Sequence, residues 1–435
     1  MKNKIFYIVF SCLLATSLLL SACATAAESA ESSEAEDTTV STTSSEPVTI
    51  RYWHTMSDTE TAKFDEVIAA FEAANPGITV EATRYAADDF KTALTTAIAG
   101  GDVPDTARLD IAWVPQFASQ GALMQLDGTL PDFDTIAAGV FPGPLSTNKW
   151  EDHYYGLPLN TNTQVLVYSK DAFTAAGIES APSTIEEFVD DACKLTDVST
   201  ETYGFAQGGT YFWASAPIFY AMGGKVTDDA ITTATGYING PESVAAFTVL
   251  KDLYDRGCLS PNLLGGGIAT DAGSGSGKYA MIIDGPWMVD IYKSNYPDFN
   301  YGFALVPAGK DGTSSVVGGE DVVVLDGSTN KEAALKWVTY LMSPEAQKTI
   351  AQAGVIPTLS SLVGDTDLPA YFSVFMEQLK TAQARVPSPV WGDMDTAIGN
   401  AYQRILNGDQ TVQESLDQAA TEINAFLAKD RKSVV

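Results

Sequence analysis

Apolar positions change period several times between residues 48 and 112. Val48-Thr49-Ile50-Arg51-Tyr52-Trp53 is a β-branched and aromatic run and predicts a first strand. From Thr59 the period lengthens, with Phe64, Val67, Ile68 and Phe71 recurring at the i, i+3, i+4, i+7 spacing of one apolar helix face. Asn75-Pro76-Gly77 stops that helix, and Ile78-Thr79-Val80 predicts a second strand. Phe90–Ala99 reads as another helix before Gly100-Gly101, and Asp105–Ala112 as a third strand with Trp113 in the loop beyond it. Strands joined through helices of these lengths pair in parallel, so the fold class is α/β. Further along, Trp337 and Leu341 share the apolar face of an amphipathic helix, which predicts a core tryptophan.

The head of the chain follows other rules. Lys2 and Lys4 precede a mostly apolar stretch, Ile5–Leu20, interrupted by Ser11, Cys12, Thr16 and Ser17. It is too short and too broken for a comfortable membrane span, and small residues follow, so residues 1–22 read as a secretory signal peptide. Leu20-Ser21-Ala22-Cys23 resembles the bacterial lipobox, which implies cleavage before Cys23 and lipidation of its thiol. Ala24–Glu46 is dominated by Ala, Ser, Thr and acids, without Lys, Arg or aromatic residues. Such a segment buries too little to offset its ordering entropy, and it reads as a flexible tether completing residues 23–46. The folded body begins at Pro47.

Charge then narrows the partners. The chain carries 55 acidic against 25 basic side chains, a formal charge of −30. Nucleic acid is disfavoured, because binding it requires a basic face. Adsorption to anionic lipid is disfavoured too, leaving the lipid anchor as the membrane contact. Two histidines leave no room for a multi-histidine metal site, and no cofactor is expected. Gly273–Lys278 suggests a phosphate loop, but its glycine spacing is one short and Tyr279 stands where Ser or Thr would be, so a flexible turn before the strand Tyr279–Ile283 is expected. Cys193 and Cys258 remain in the mature body, and their pairing is left open.

Several segments in order resemble one family. "FDEVIAAFEAANPGITV", "AGGDVPD" and "FASQGALMQLD" are followed by "YYGLPLNTNTQVLVYSKDAF", "YAMIIDGPW", "VVGGEDVVV" and "ALKWVTYLMSPEAQ". Together they are similar to the extracellular solute-binding proteins of carbohydrate ABC importers, of the maltose-binding type. The resemblance implies a two-lobed periplasmic-binding-protein-like fold with hinge crossovers and a ligand cleft between the lobes. It places the crossings near Leu159–Asn162, Val306–Pro307 and Ile356–Thr358. The lobes are then 47–159 with 307–356, and 160–306 with 357–435.

A neutral sugar presents hydroxyls and apolar C–H faces, so its site needs flat rings beside carboxylates and amides. By family position, Trp287, Trp391, Tyr211 and Trp213 are expected to face the ligand. Trp53, His54, Asp58, Asp110, Trp113, Asn162 and Glu320, at strand ends and helix starts, are the further candidates. The implied function is capture of an oligosaccharide, malto-oligosaccharide as first guess, by lobe closure and its delivery to permease subunits served by a separate ATPase. The protein is expected to act as a monomer and to break no bond. The alternatives are a lipid-anchored glycoside hydrolase, or a sensor or adhesin on the same fold.

Overall fold

The computed structural model describes residues 47–433 except 311; the expected signal peptide, lipidated Cys23 and tether lie outside the described residues. The strands of its two larger sheets are β1 (Val48–His54), β2 (Ile78–Arg84), β3 (Thr106–Asp110), β4 (Leu157–Thr163), β5 (Val165–Ser169), β6 (Tyr203–Ala206), β7 (Tyr279–Asp284), β8 (Tyr301–Ala304) and β9 (Val317–Val324). The first sheet runs β2-β1-β3-β9-β4 and the second β8-β5-β7-β6. β1 pairs in parallel with β2 and β3, as strand–helix–strand spacing requires, whereas β9 is antiparallel to both of its neighbours.

Both sheets are covered on two faces, which the alternation of apolar residues explains. In β9, Val322 and Val324 enter one core with Ile50, Tyr52 and Trp337, while Val323 joins Ala107, Leu109 and Phe90 on the other side. In the second sheet, Leu166, Phe205 and Met281 face one core and Val167, Ala206 and Ile282 the other. Trp337 is fully buried among Tyr52, Phe64 and Phe71, as its helical spacing predicts.

The lobe crossings differ from expectation. β4 stays in the first sheet through Thr163, and β5 begins the second at Val165, so the chain crosses at Gln164. After β8 the chain keeps to the second lobe, where Ala308 bridges Thr184. It crosses only at Ser315–Val316. Ile356–Thr358 is not a crossing. Thr161 N–H donates to the Ile356 carbonyl at 2.9 Å and the Thr358 hydroxyl to the Pro158 carbonyl at 2.7 Å, so this segment lies along the edge of β4. The residues that follow, including Phe372, Phe375, Met376 and Leu379, pack into the first core, and the third crossing falls at Gln383. The physical reason lies in the prolines. Pro158 and Pro357 lack an N–H, which suits an edge as well as it suits a hinge.

The three crossings form one hydrogen-bonded ribbon. Ser315 Oγ donates to the Gln164 carbonyl at 2.8 Å, Gln383 N–H to Ser315 O at 2.8 Å, and Val317 N–H to Gln383 O at 2.9 Å.

Two further points complete the frame. Of the expected turn Gly273–Lys278, residues 273–275 close the short helix Thr270–Gly275, and only Ser276–Lys278 turns into the strand. Gly273 and Gly275 are there because a Cβ on either would collide with the rings of Tyr279 and Tyr296. Cys193 and Cys258, open in the sequence, form a disulfide with Cα atoms 4.8 Å apart at the second core.

Candidate ligand cleft

The first-lobe wall of the cleft is built at the start of the helix α1 (Asp58–Ala74) and the carboxyl ends of β3 and β4. Ser57 and Glu60 form a reciprocal capping box, with Glu60 Oε2 accepting from Ser57 N–H at 2.7 Å. The other oxygen of Glu60 accepts from Arg108 Nη2 at 3.2 Å. Arg108 alternates to the opposite face of β3 from Leu109, only 4% exposed, and also donates from Nη2 to Glu320 at 2.7 Å and to Asn160 Oδ1 at 3.1 Å. Asn160 Nδ2 in turn donates to Glu320 at 2.6 Å. One guanidinium thus holds two carboxylates, each acting as a charge-assisted acceptor. Burial still raises the Glu320 carboxyl above its ordinary range, against the pull of Arg108 and Asn160.

A β-bulge at Glu320/Asp321 aims these groups. Gly319 takes φ +124°, open to glycine, and the β9–β4 register slips at this point. Asp321 turns inward, accepting from Asn148 at 2.8 Å and Thr147 at 3.0 Å, while Glu320 faces the cleft.

Across from this wall stands Trp287, 40% exposed, at the start of the helix Met288–Asn295. Its ring lies over Gly285, where a Cβ would collide with it. Trp287, Pro286 and Asp290 close a cavity of about 330 Å³ with Ser57, Thr59, Glu60, Arg108, Asn160, Asn162, Glu320 and the Ala353–Val355 turn. Behind Trp287, burial raises the Asp284 carboxyl to about 6, opposed by hydrogen bonds from Gly285 N–H and the Trp287 side chain. Trp213 lies with its ring centroid 6.5 Å from that of Trp287, and Arg385 sits over the Trp213 ring at 5.6 Å.

The expected site residues divide. Trp287, Asn162 and Glu320 line the cavity. Trp213 adjoins it, and Tyr211 is 47% exposed over Gly208–Gly209. Asp110 ends β3 and lies 3.6 Å from Arg385. Trp53 packs on Tyr85 and Trp113 stacks on Phe90, away from the cavity lining. Three expectations are corrected. Trp391 is 4% exposed and packs edge-on to Phe212 in the second core, because it opens a helix whose inward face holds Met394, Ile398 and Tyr402. His54 is buried, its Nδ1 accepting from Met56 N–H at 3.2 Å, and burial with the Arg108 and Arg84 charges lowers its pKa to about 4. Asp58 is exposed and pairs with Arg84 outside the cavity. Glu60, Arg108, Asn160 and Asp290 also line the cavity and were not among the expected residues. Arg108 alone left a usable signal, a cation between Ala107 and Leu109 in the strand Thr106–Asp110.

The sequence pattern of the bacterial extracellular solute-binding proteins matches residues 57–348. The chain belongs to that family. Among curated members of this solute-binding family, the maltotriose-binding protein of Pyrococcus abyssi is 26% identical over 399 residues, covering 88% of this chain and 81% of the relative. The GacH receptor of Streptomyces glaucescens, crystallised unliganded and with acarbose, superposes with TM-score 0.73 at 26% identity over 89% of this chain and 99% of that one. The cyclic α-maltosyl-1,6-maltose binding protein of Arthrobacter globiformis does so with TM-score 0.78 at 25% identity, over 88% and 100%. These likenesses bear out the two-lobed α/β fold of a solute-binding protein.

Proposed function

We propose that this solute-binding protein captures an oligosaccharide outside the cell and hands it to the permease subunits of an ABC importer. The observation that carries the proposal is the cavity itself, with an exposed tryptophan on one lobe facing the Glu60–Arg108–Asn160–Glu320 network on the other. A ring stacked on Trp287 would present its hydroxyls to acceptors and donors already held in place. Malto-oligosaccharides are the first series to test, consistent with the ligands named for the Pyrococcus and Arthrobacter proteins. A ligand touching both walls favours the closed arrangement of lobes 47–163 with 317–379 and 165–314 with 386–433. The closed form docks on the permease, and a separate ATPase drives release. Glu60 and Glu320 share one guanidinium, which suits them to accept hydroxyls from a ligand. On this reading the protein binds its ligand without cleaving it, as a monomer held to the cell surface through lipidated Cys23.

Thermal-shift and calorimetric titration against maltose through maltotetraose, a galacto-oligosaccharide series, amino acids and peptides tests this reading. A melting-temperature rise with one glycan series, and recovery of that glycan intact, is the expected result. A rise with peptides alone, or release of reducing sugar, would overturn it.

A further inference from the structure

The floor of the cleft, where the crossings meet, holds two polar atoms left without partners. Asn162 Oδ1, an acceptor, and Arg385 Nε, a donor, are both buried and neither makes a hydrogen bond. Asn162 lies two residues before the first crossing at Gln164, and Arg385 two residues after the third at Gln383. Both flank one indole. A Cβ on Gly318, beside the second crossing, would collide with Asn162 Oδ1 and the outer edge of the Trp213 ring, so these two groups meet above that glycine. The Arg385 guanidinium lies over the face of the same ring. Its position is set from two sides, by Asp110 of the first lobe at 3.6 Å and by Trp213 of the second. The Trp213 main chain is itself fixed, its carbonyl accepting from Gln164 Nε2 at 2.6 Å.

Buried polar atoms without partners are rare in folded proteins and call for an explanation. A lone donor and a lone acceptor beside one aromatic ring are complementary to a group that both gives and takes a hydrogen bond. A hydroxyl does this, and a sugar ring adds an apolar face for the indole. We infer that Asn162, Arg385 and Trp213 form a specificity subsite at the hinge, in which one ligand hydroxyl accepts from Arg385 Nε and donates to Asn162 Oδ1. Arg385 is thereby a specificity-determining residue for the capture proposed above, on which this inference rests. Bulk water does not reach either atom in the present arrangement of the lobes, so the hydroxyl enters while the lobes are apart. The subsite joins residues beside the first and third crossings to Trp213 of the second lobe, and filling it favours the closed arrangement directly.

Calorimetric titration of the purified protein with maltotriose, maltotetraose and β-1,4-galactotriose tests this, using Arg385→Ala, Arg385→Lys, Asn162→Ala and the Asn162→Ala/Arg385→Ala double variant. For the sugar that binds the unaltered protein, each single substitution is expected to weaken binding roughly tenfold or more, and the double substitution by much less than the product of the two. Arg385→Lys should not rescue, because lysine keeps the charge but has no planar Nε–H at that point. The ligand-free melting temperature of Asn162→Ala should stay unchanged or rise, since the alanine removes an orphaned buried atom. Arg385→Ala also gives up its contacts with Asp110 and Trp213, and should melt no more than a few degrees below an Asp110→Ala control. A fall in melting temperature that tracks the affinity loss would assign both residues a structural role and overturn the subsite. Strictly multiplicative losses would overturn the shared hydroxyl. Undiminished sugar binding by folded variants would overturn the subsite alone, whereas no binding of any sugar by the unaltered protein would overturn the carbohydrate reading and the subsite with it.

Discussion

Arg108 Nη2 lies 2.7 Å from Glu320 Oε2, an ion pair that joins two antiparallel strands of the first sheet at the wall of the cleft. The pair is partly desolvated, and Asn160 completes it. Removing one partner of such a pair leaves an uncompensated charge, which is costlier than the pair itself is favourable. Arg108→Ala is therefore expected to destabilise the protein by about 3–5 kcal/mol. Without the guanidinium, Glu320 titrates still higher, so the loss should grow as pH rises from 4.5 to 7. Adding Glu320→Gln should recover much of it. Denaturant midpoints of the single and double variants across that range check both statements.

Trp287 exposes 40% of its surface and contributes little to either core. Trp287→Ala should leave the protein folded and cost about 1–3 kcal/mol, since it removes the hydrogen bond to the largely buried Asp284 but little core packing. Ligand affinity should fall roughly tenfold or more, as expected for a stacked aromatic anchor. Unfolding of the variant would instead place Trp287 in the core.

Gly318 has no room for a side chain, because Asn162 and Trp213 occupy the space a Cβ would need. Both can shift, but only by leaving the cleft floor. Gly318→Ala should thus weaken ligand binding more than it lowers stability, a separation that calorimetry and thermal melting on the same variant would reveal.

Cys193 and Cys258 close a loop spanning 65 positions at the second core. Replacing both with alanine is expected to cost about 2–4 kcal/mol. Affinity measured below the lowered melting temperature should be unchanged, since neither cysteine lines the cavity.

Two groups give opposing pH dependences. Burial raises Asp284 to about 6, so the native state holds more protons than the unfolded state between about pH 4 and 6, and this contribution falls as pH rises through that window. His54 is lowered to about 4, chiefly by burial, so the native state holds fewer protons between about pH 4 and 6.5, and its contribution rises with pH. Asp284→Asn removes only the first. Relative to the unaltered protein, that variant should gain stability from pH 4 to 6 by at most about 1.4 kcal/mol per pH unit. Denaturant melts at pH 4, 5 and 6 would show the gain; a flat difference would sink the assignment.

Local physics accounts for much of what could be read in advance. The strand Val48–Trp53, the helix face of Phe64, Val67 and Phe71, and the buried Trp337 each follow from a period that one element imposes on its own residues. Trp287 was legible through family position, and Asn162 and Glu320 through their place at strand ends; all three line the cavity. Trp391 was misread because the same position can face either a cleft or a core, and only the packing of its helix against Phe212 chooses. Glu60 was hidden by doing two jobs, since a capping glutamate looks the same whether or not its second oxygen meets Arg108.

The order of amino acids by itself determined the element types, the acidic charge and the family, because these depend on composition, on spacings within a few residues and on the order of short segments along the chain. Tertiary structure alone decided where the chain crosses between lobes, which cysteines pair, and which polar groups meet at the cleft. Arg108 and Glu320 are separated by more than two hundred residues, and Asn162 and Arg385 by as many. Contacts at such distances arise from sheet register, a glycine-permitted bulge and three crossings bonded side by side, none of which leaves a periodic trace in the sequence.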